Sequence, residues 1–157
     1  MTHENASPPP RAVVHGMFTL HRVYPAEPAK IYRALTDPAA KAAWFLGPEG
    51  YETLLREMDV RVGGRERLHG RFPSGTTTKF DAHYFDVVTN ERLVYAYEMR
   101  MNDVKISVSL ATMQITPEGH GARLTVTEQG AFLDGYDDNG SRERGTSGLL
   151  DKLGRSL

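Results

Sequence analysis

The sequence predicts an α+β fold, in which a curved, seven-stranded antiparallel sheet is joined to two short helices and one long C-terminal helix. Three observations support this prediction. Segments rich in β-branched and aromatic residues recur about every 10–14 residues, separated by turns of glycine, proline and asparagine. Two segments early in the chain begin with proline and continue with helical spacing. A stripe of leucines near residue 150 indicates one more helix.

The chain opens with an arm and a strand. Residues 1–12 are polar and rich in proline, which predicts a disordered arm, because little in this stretch can be buried. We expect residues 13–157 to form a single domain. The segment 13–24, VVHGMFTLHRVY, is rich in β-branched and aromatic types and predicts the first strand, which Pro25 ends.

Two short helices follow this strand. Proline suits a first helical turn because its missing N–H would have no partner there, and this predicts helices over about 28–35 and 38–45. Asp37 stands at the cap position of the second helix. The Gly47-Pro48 pair stops it, so Trp44 and Phe45 lie at its end.

Six further strands and a helix complete the predicted order. Residues 130–141 predict a structured loop, and Ser141 a cap for the final helix, whose apolar stripe is Leu149, Leu150 and Leu153. That helix is the only element long enough to cover one face of the sheet, so the space between them is the expected ligand site. The six strand segments are TLLREMDVRV, RERLHGRF, TTKFDAHYFDVV, RLVYAYEM, VKISVSLATMQIT and ARLTVTEQ.

The composition excludes several classes of function. The 157 residues include 19 Lys and Arg against 20 Asp and Glu. The chain therefore lacks the excess of basic residues that would indicate binding to nucleic acid or to an anionic membrane. Cysteine is absent, which excludes disulfides, Cys-based zinc sites and a cysteine nucleophile, and fits a cytoplasmic location. No apolar run is long enough to span a membrane. We expect no cofactor and no metal, because the histidines lack the dense spacing of a ligand motif.

Several segments resemble one protein family. The stretch YPAEPAKIYRALTDPAAKAAWF is similar to the pattern APxxxVWxALTDPxxxxxWF, which is typical of Aha-type proteins, relatives of the activator of the heat-shock-protein-90 ATPase. DVRVGG and HYFDVVTNERLVYAYE resemble two further segments of that family, and SVSLATMQI and TEQGAFLDGYDD resemble its bacterial branch. The resemblance covers about residues 17–157. The chain departs from the pattern at Tyr32, where tryptophan is common, and in the final helix, where Gly-Thr-Ser replaces Gly-Trp.

The resemblance implies a fold more than a reaction. The family belongs to the START-like, helix-grip (SRPBCC) superfamily, whose members include chaperone activators, lipid and hormone carriers, aromatases and cyclases. A fold shared by so many activities does not determine the activity of one member. The function therefore depends on the residues of the site itself.

The candidate site is a cavity with apolar and aromatic walls. Glu128 ends a strand near its mouth, where it could act as a general base or accept hydrogen bonds from the following loop. Alternating tyrosines could orient a ligand through their hydroxyls or simply belong to the core. The predicted walls are Trp44, Phe45, Phe72, Tyr84, Tyr97, Met99, Met113, Phe132, Leu150 and Leu153.

Three functions fit these observations. The first is a non-enzymatic domain that encloses a small hydrophobic or amphipathic ligand, driven by the burial of apolar surface. The second is a protein-binding activator of a chaperone ATPase, which the resemblance alone implies. The third is a cyclase or hydrolase acting on an aromatic or polyketide-like substrate, with Glu128 and Tyr84 as its polar groups. We rank catalysis last because the sequence shows no acid/base pair, and we expect that the protein could form a homodimer.

Overall fold

A computed structural model of the protein describes residues 10–157. It contains one seven-stranded antiparallel sheet, two short helices and one long helix, which confirms the predicted fold class. The elements in chain order are β1 (Val13–Tyr24), α1 (Pro28–Thr36), α2 (Pro38–Ala42), β2 (Glu52–Met58), β3 (Arg65–Arg71), β4 (Thr77–Val88), β5 (Arg92–Met101), β6 (Val104–Glu118), β7 (Gly121–Leu133) and α3 (Asn139–Ser156). The predicted disordered arm falls mainly on residues 1–9, which lie outside the described part of the chain.

The sheet has the strand order β1-β7-β6-β5-β4-β3-β2, with every neighbouring pair antiparallel. Strands β2 to β7 follow one another as a meander, and β1 closes the order by pairing along β7. Because side chains alternate between the two faces of a strand, one parity of each strand faces the helices. In β5 that parity holds Leu93, Tyr95 and Tyr97, all of them buried.

The short helices are fixed by proline and by a cap. Each begins with a proline, and the Asp37 carboxylate accepts a hydrogen bond from the backbone N–H of Ala40 at 2.9 Å. The second helix ends at Ala42, earlier than predicted, and the chain turns there so that Trp44 points inward. Its indole N–H donates to the carbonyl of Ala34 at 2.9 Å, which anchors the turn to α1.

The long helix is held at its C-terminal half. Leu150 and Leu153 are buried against the sheet, and the Tyr24 hydroxyl donates to the carbonyl of Leu150 at 2.7 Å. The Tyr24 ring also lies against Gly154, where an added Cβ would come within 2.9 Å of it. This half of α3 is therefore packed closely onto β1.

Two boundaries near the C-terminus also differ from the sequence prediction. Residues 130–133 were expected to lie in a loop but continue β7, because β1 and β6 pair with them on both sides: Ala131 lies opposite His15 and Val108. The helix α3 begins at Asn139, and its cap is Asp138 instead of Ser141. The Asp138 carboxylate accepts from the backbone N–H of Ser141 at 2.8 Å, so Ser141 already belongs to the first turn.

None of the helices in residues 10–157 combines the length and the hydropathy needed to cross a bilayer.

Candidate functional site

A cavity of about 410 Å³ lies between the inner face of the sheet and the N-terminal half of α3. This volume falls within the range of about 300–1,000 Å³ usual for small-molecule sites. Apolar and aromatic side chains predominate in the walls. The lining residues are Lys41, Trp44, Phe45, Leu46, Gly47, Tyr51, Leu68, Phe72, Thr78, Phe80, Tyr95, Tyr97, Met99, Met113, Glu128, Asp137, Ser141, Arg142, Gly145, Thr146, Leu149 and Leu150.

Aromatic rings form a continuous wall on the sheet side. Phe80 occupies its middle, with its ring centre 5.1 Å from that of Phe45 and 5.0 Å from that of Tyr97. Tyr95 lies 6.0 Å from Tyr97. These separations are typical of favourable edge and tilted contacts between rings, so the wall is held in place by its own packing.

Exposed residues border the cavity on two sides. Ser141 and Gly145 of α3 and Leu46 after α2 line the cavity and are exposed to solvent, whereas Leu150, further along α3, is buried. A Cβ added at Gly145 would meet no atom within 4 Å. The rim of the cavity is therefore formed by the first half of α3 and by the segment after α2.

Glu128 places a carboxyl group inside this apolar space. The residue is 6% exposed and lies on β7, where strand alternation directs it inward together with Leu124 and Val126. The Tyr97 hydroxyl donates a short hydrogen bond to it. Burial raises the pKa of the Glu128 carboxyl, while the hydrogen bond from Tyr97 and the nearby Arg142 charge oppose that shift.

Arg142 connects this carboxyl to α3. Its guanidinium donates to the Tyr97 hydroxyl at 2.9 Å, to the Ser107 hydroxyl at 2.8 Å and to the Asp137 carboxylate at 2.9 Å. The Tyr97 hydroxyl thus accepts from Arg142 and donates to Glu128. Burial, followed by the Glu128 charge, raises the pKa of Tyr97 well above its usual range, so this phenol keeps its proton at neutral pH.

A second polar cluster lies beside α2. The Lys41 ammonium donates to Glu66 Oε1 at 2.7 Å, and the Tyr84 hydroxyl donates to the same oxygen at 2.5 Å. Lys41 and Glu66 are both buried, yet only Lys41 lines the cavity. The ammonium also lies 4.6 Å above the Phe45 ring centre, a distance at which a ring face attracts a cation.

The structure brings eight of the predicted site residues together in the cavity wall. Whether they contact a ligand remains a prediction. These eight residues are Trp44, Phe45, Phe72, Tyr97, Met99, Met113, Glu128 and Leu150.

Tyr84, Phe132 and Leu153 were also predicted as walls, but they do not line the cavity. Each has the inward parity or helical position that the prediction used, and each is buried in packed structure instead. Tyr84 points its hydroxyl at Glu66, and Phe132 packs 5.4 Å from the Arg142 guanidinium. Leu153 belongs to the tightly packed half of α3. The inner face of the sheet is larger than the cavity, and strand alternation cannot tell which part of that face is filled.

Two cationic residues of the site were not predicted from the sequence. Lys41 and Arg142 were not proposed, because charged residues are usually exposed. A signal was present at Glu66, which shares its strand parity with the buried Leu68 and therefore had to be buried with a partner. Phe80 and Tyr95 were missed as walls although they share the inward parity of the residues that were chosen.

The polar pair nominated for catalysis is not assembled. Glu128 lines the cavity, but Tyr84 is engaged by Glu66 outside it. Burial and the Glu66 charge raise the pKa of Tyr84 well above its usual range, so its hydroxyl stays protonated. Within residues 10–157, no group of three or more histidine, aspartate or glutamate side chains is arranged to hold a metal ion.

Comparison with known proteins gives a consistent result. A family model described as "Activator of Hsp90 ATPase homolog 1-like protein" matches residues 25–157. A solved protein of Rhizobium leguminosarum is 39% identical, with a TM-score of 0.88, over 93% of this chain and 96% of that chain. A protein of Rhizobium loti is 40% identical, with a TM-score of 0.85, over 93% and 99%. No curated protein sequence matches the chain.

A more distant relative shares the fold alone. The AHSA1-like protein of Aeromonas hydrophila, solved in solution, is 20% identical over 90% of this chain and 91% of that chain. Its TM-score of 0.69 shows that the same arrangement of sheet and helices persists when most side chains differ.

Proposed function

The chain belongs to the family of Activator of Hsp90 ATPase homolog 1-like proteins, and from that premise we propose that it binds a small hydrophobic or amphipathic molecule in the cavity under α3. The family resemblance found in the sequence is thereby confirmed. The fold suits a ligand-binding or activator domain in general. The observation that carries the more specific proposal is a cavity of about 410 Å³ with aromatic walls and a partly exposed rim.

The energetics favour a ligand with a large apolar part. Removal of apolar surface from water contributes about 25 cal/mol per Å², before the costs of association. The aromatic wall formed by Phe45, Phe80 and Tyr97 offers that surface to a flat or ring-shaped molecule. The polar groups at Glu128 and Arg142 would orient one polar end of it, as a few placed polar groups do in most small-molecule sites.

Fluorescence of the neutral probe phenylnaphthylamine tests the proposal. We expect saturable enhancement on addition of the protein, and native mass spectrometry of freshly purified protein should show any retained small molecule. The variant Met99→Trp adds a large ring to the cavity wall and should abolish the enhancement. Val108→Trp, on the outer face of the neighbouring strand, is the matched control and should leave it unchanged.

Two results would contradict the proposal. One is the absence of saturable binding by the wild-type protein. The other is equal binding by the folded Met99→Trp and Val108→Trp variants, because the probe would then occupy a site outside the cavity.

The family description supports a second candidate, activation of a chaperone ATPase. The direct assay measures ATP turnover by the Hsp90-type chaperone of the same organism with and without this protein. Stimulation that persists in Met99→Trp would favour an activator that works through its outer surface. No change in turnover at saturating protein would leave ligand binding as the supported function.

A further inference from the structure

The cations near the cavity already have partners. Lys41 and Arg142 line the cavity together with Asp137 and Glu128, and the half-buried Arg56 guanidinium donates to the carbonyl of Phe45 at 2.8 Å. Lys41 is paired with Glu66 at 2.7 Å and Arg142 with Asp137 at 2.9 Å. No lysine or arginine nitrogen in residues 10–157 lies within ion-pair distance of Glu128. This carboxyl is therefore the one acidic group of the cavity without a cation of its own.

An unpaired buried carboxylate is costly, and a protein resolves that cost by protonating it or by supplying a cation. The Tyr97 hydroxyl satisfies part of the hydrogen-bonding capacity of Glu128, but a neutral phenol brings no positive charge. Burial raises the pKa of Glu128, although the hydrogen bonds from Tyr97 and Thr146 and the more distant Arg142 charge oppose that shift. A ligand that carries the counter-ion would take the place of that proton.

The aromatic wall favours the same type of ligand. Ring faces attract cations, and this wall already holds two: the Lys41 ammonium over Phe45, and the Arg142 guanidinium 5.6 Å from the Tyr97 ring centre. Both of these cations are neutralised by their carboxylate partners. The remaining ring surface around Phe80 and Tyr95 is continuous with Glu128, since Tyr97 touches both the rings and the carboxyl.

We infer that the ligand of this cavity is an organic cation, with an amine or quaternary ammonium group beside Glu128 and an apolar or aromatic body against the Phe80 wall. This inference rests on the proposed binding function and specifies its ligand class. An anionic ligand is disfavoured in the same position, because Lys41 and Arg142 are already paired and the anion would lie next to a carboxyl group. A neutral ligand would bring no positive charge to Glu128 and would gain nothing from its carboxylate form.

Three probes of the same shape and different charge test the inference: naphthylethylamine, naphthylethanol and naphthylacetate, with affinities measured by isothermal titration calorimetry at neutral pH. The wild-type protein should bind the amine at least about tenfold more tightly than the alcohol, a difference of about 1.4 kcal/mol. It should bind the acetate most weakly. This ranking needs no variant, so it remains informative if a substitution unfolds the protein.

Two variants locate the effect. Glu128→Gln removes the charge and keeps an oxygen for the Tyr97 hydroxyl, so it should remove the preference for the amine and change the affinity for the alcohol less than about threefold. Glu91→Gln removes the same charge from the exposed turn between β4 and β5 and is the matched control. It should retain the wild-type ranking, which would exclude an effect of net charge alone.

The possible outcomes separate this inference from the proposed function. If the alcohol binds as tightly as the amine, or if Glu128→Gln keeps the preference for the amine, the cation inference is wrong and cavity binding stands. If the acetate binds most tightly, Lys41 or Arg142 governs recognition and the inference is again wrong. If none of the three probes binds, both the proposed function and the inferred ligand class are wrong.

Discussion

Replacing Lys41 by methionine should destabilise the protein strongly, although the substitution adds apolar character to an apolar region. The side chains of Lys41 and Glu66 are each 5% exposed, and their charged atoms lie 2.7 Å apart. At that separation the gross attraction is about 6 kcal/mol for an effective dielectric constant of about 20. Desolvation of both groups offsets much of this attraction, so the intact pair contributes little net stability.

Removal of one partner gives a different result from removal of both. In Lys41→Met the Glu66 carboxylate stays buried without a cation, and such a loss costs about 3–5 kcal/mol. In the double variant Lys41→Met, Glu66→Gln no charge remains, and the glutamine oxygen can still accept from the Tyr84 hydroxyl. We expect the double variant to recover at least about 2 kcal/mol of the loss, because an uncompensated buried charge is the main cost.

Urea unfolding followed by circular dichroism measures both values. For a chain of this length, a loss of about 3–5 kcal/mol lowers the melting temperature by about 6–20 °C. Lys79→Met is the control, since the Lys79–Asp103 pair is largely exposed and should change stability by less than about 1 kcal/mol. A single variant as stable as this control, or a double variant less stable than the single one, would refute the reasoning.

Three further predictions concern the helix, the sheet and the turns. Leu153→Ala should lower the free energy of unfolding, measured in urea, by about 2–5 kcal/mol, because Leu153 is fully buried. Leu54→Ala, at an exposed position, should lower it by less than about 1 kcal/mol. Burial raises the pKa of Tyr24 from 10.0 to about 12, so the folded state holds this proton more tightly than the unfolded state. The resulting contribution to the free energy of unfolding is present below pH 10 and declines as the pH rises toward 12. Spectrophotometric titration should show that Tyr24→Phe lacks this late-titrating phenol. Gly145→Ala should raise the melting temperature by a few degrees, because alanine favours a helix by about 1 kcal/mol and its Cβ would meet open space. Gly64→Ala should lower the melting temperature, because its Cβ would approach the Asp59 carbonyl oxygen to 2.0 Å. Equal shifts of the melting temperature in the two variants would refute this argument from packing.

The fold was largely predictable because its signals are local. Proline at the helix starts, turn residues between strands and the leucine stripe each act within a few residues, and their order left one way to cover the sheet. The errors at element boundaries arose where contacts between distant parts of the chain decide the structure. Residues 130–133 contain glycine and aromatics that resemble a loop, but pairing with Val14 and Ser107, distant in sequence, makes them strand.

The site was only partly predictable for a related reason. Alternation identified inward-facing residues such as Tyr97 and Met99, since parity is a property of a single strand. Which inward residues face empty space depends on how the rest of the inner face is filled, and Tyr84 is outside the cavity because its hydroxyl is engaged by Glu66 beside α2. Lys41 required knowledge of its partner, because a buried lysine is acceptable only where a carboxylate such as Glu66 meets it.

The two halves of α3 perform different tasks, and this division affects how the family can diversify. Leu150 and Leu153 lock the second half onto the sheet, so changes there endanger folding itself. The first half, from Ser141 to Thr146, mainly borders the cavity. Substitutions in that half can reshape the chamber while the fold is retained. Relatives could in this way acquire new small-molecule preferences by altering one turn and a half of helix, with the rest of the scaffold inherited unchanged.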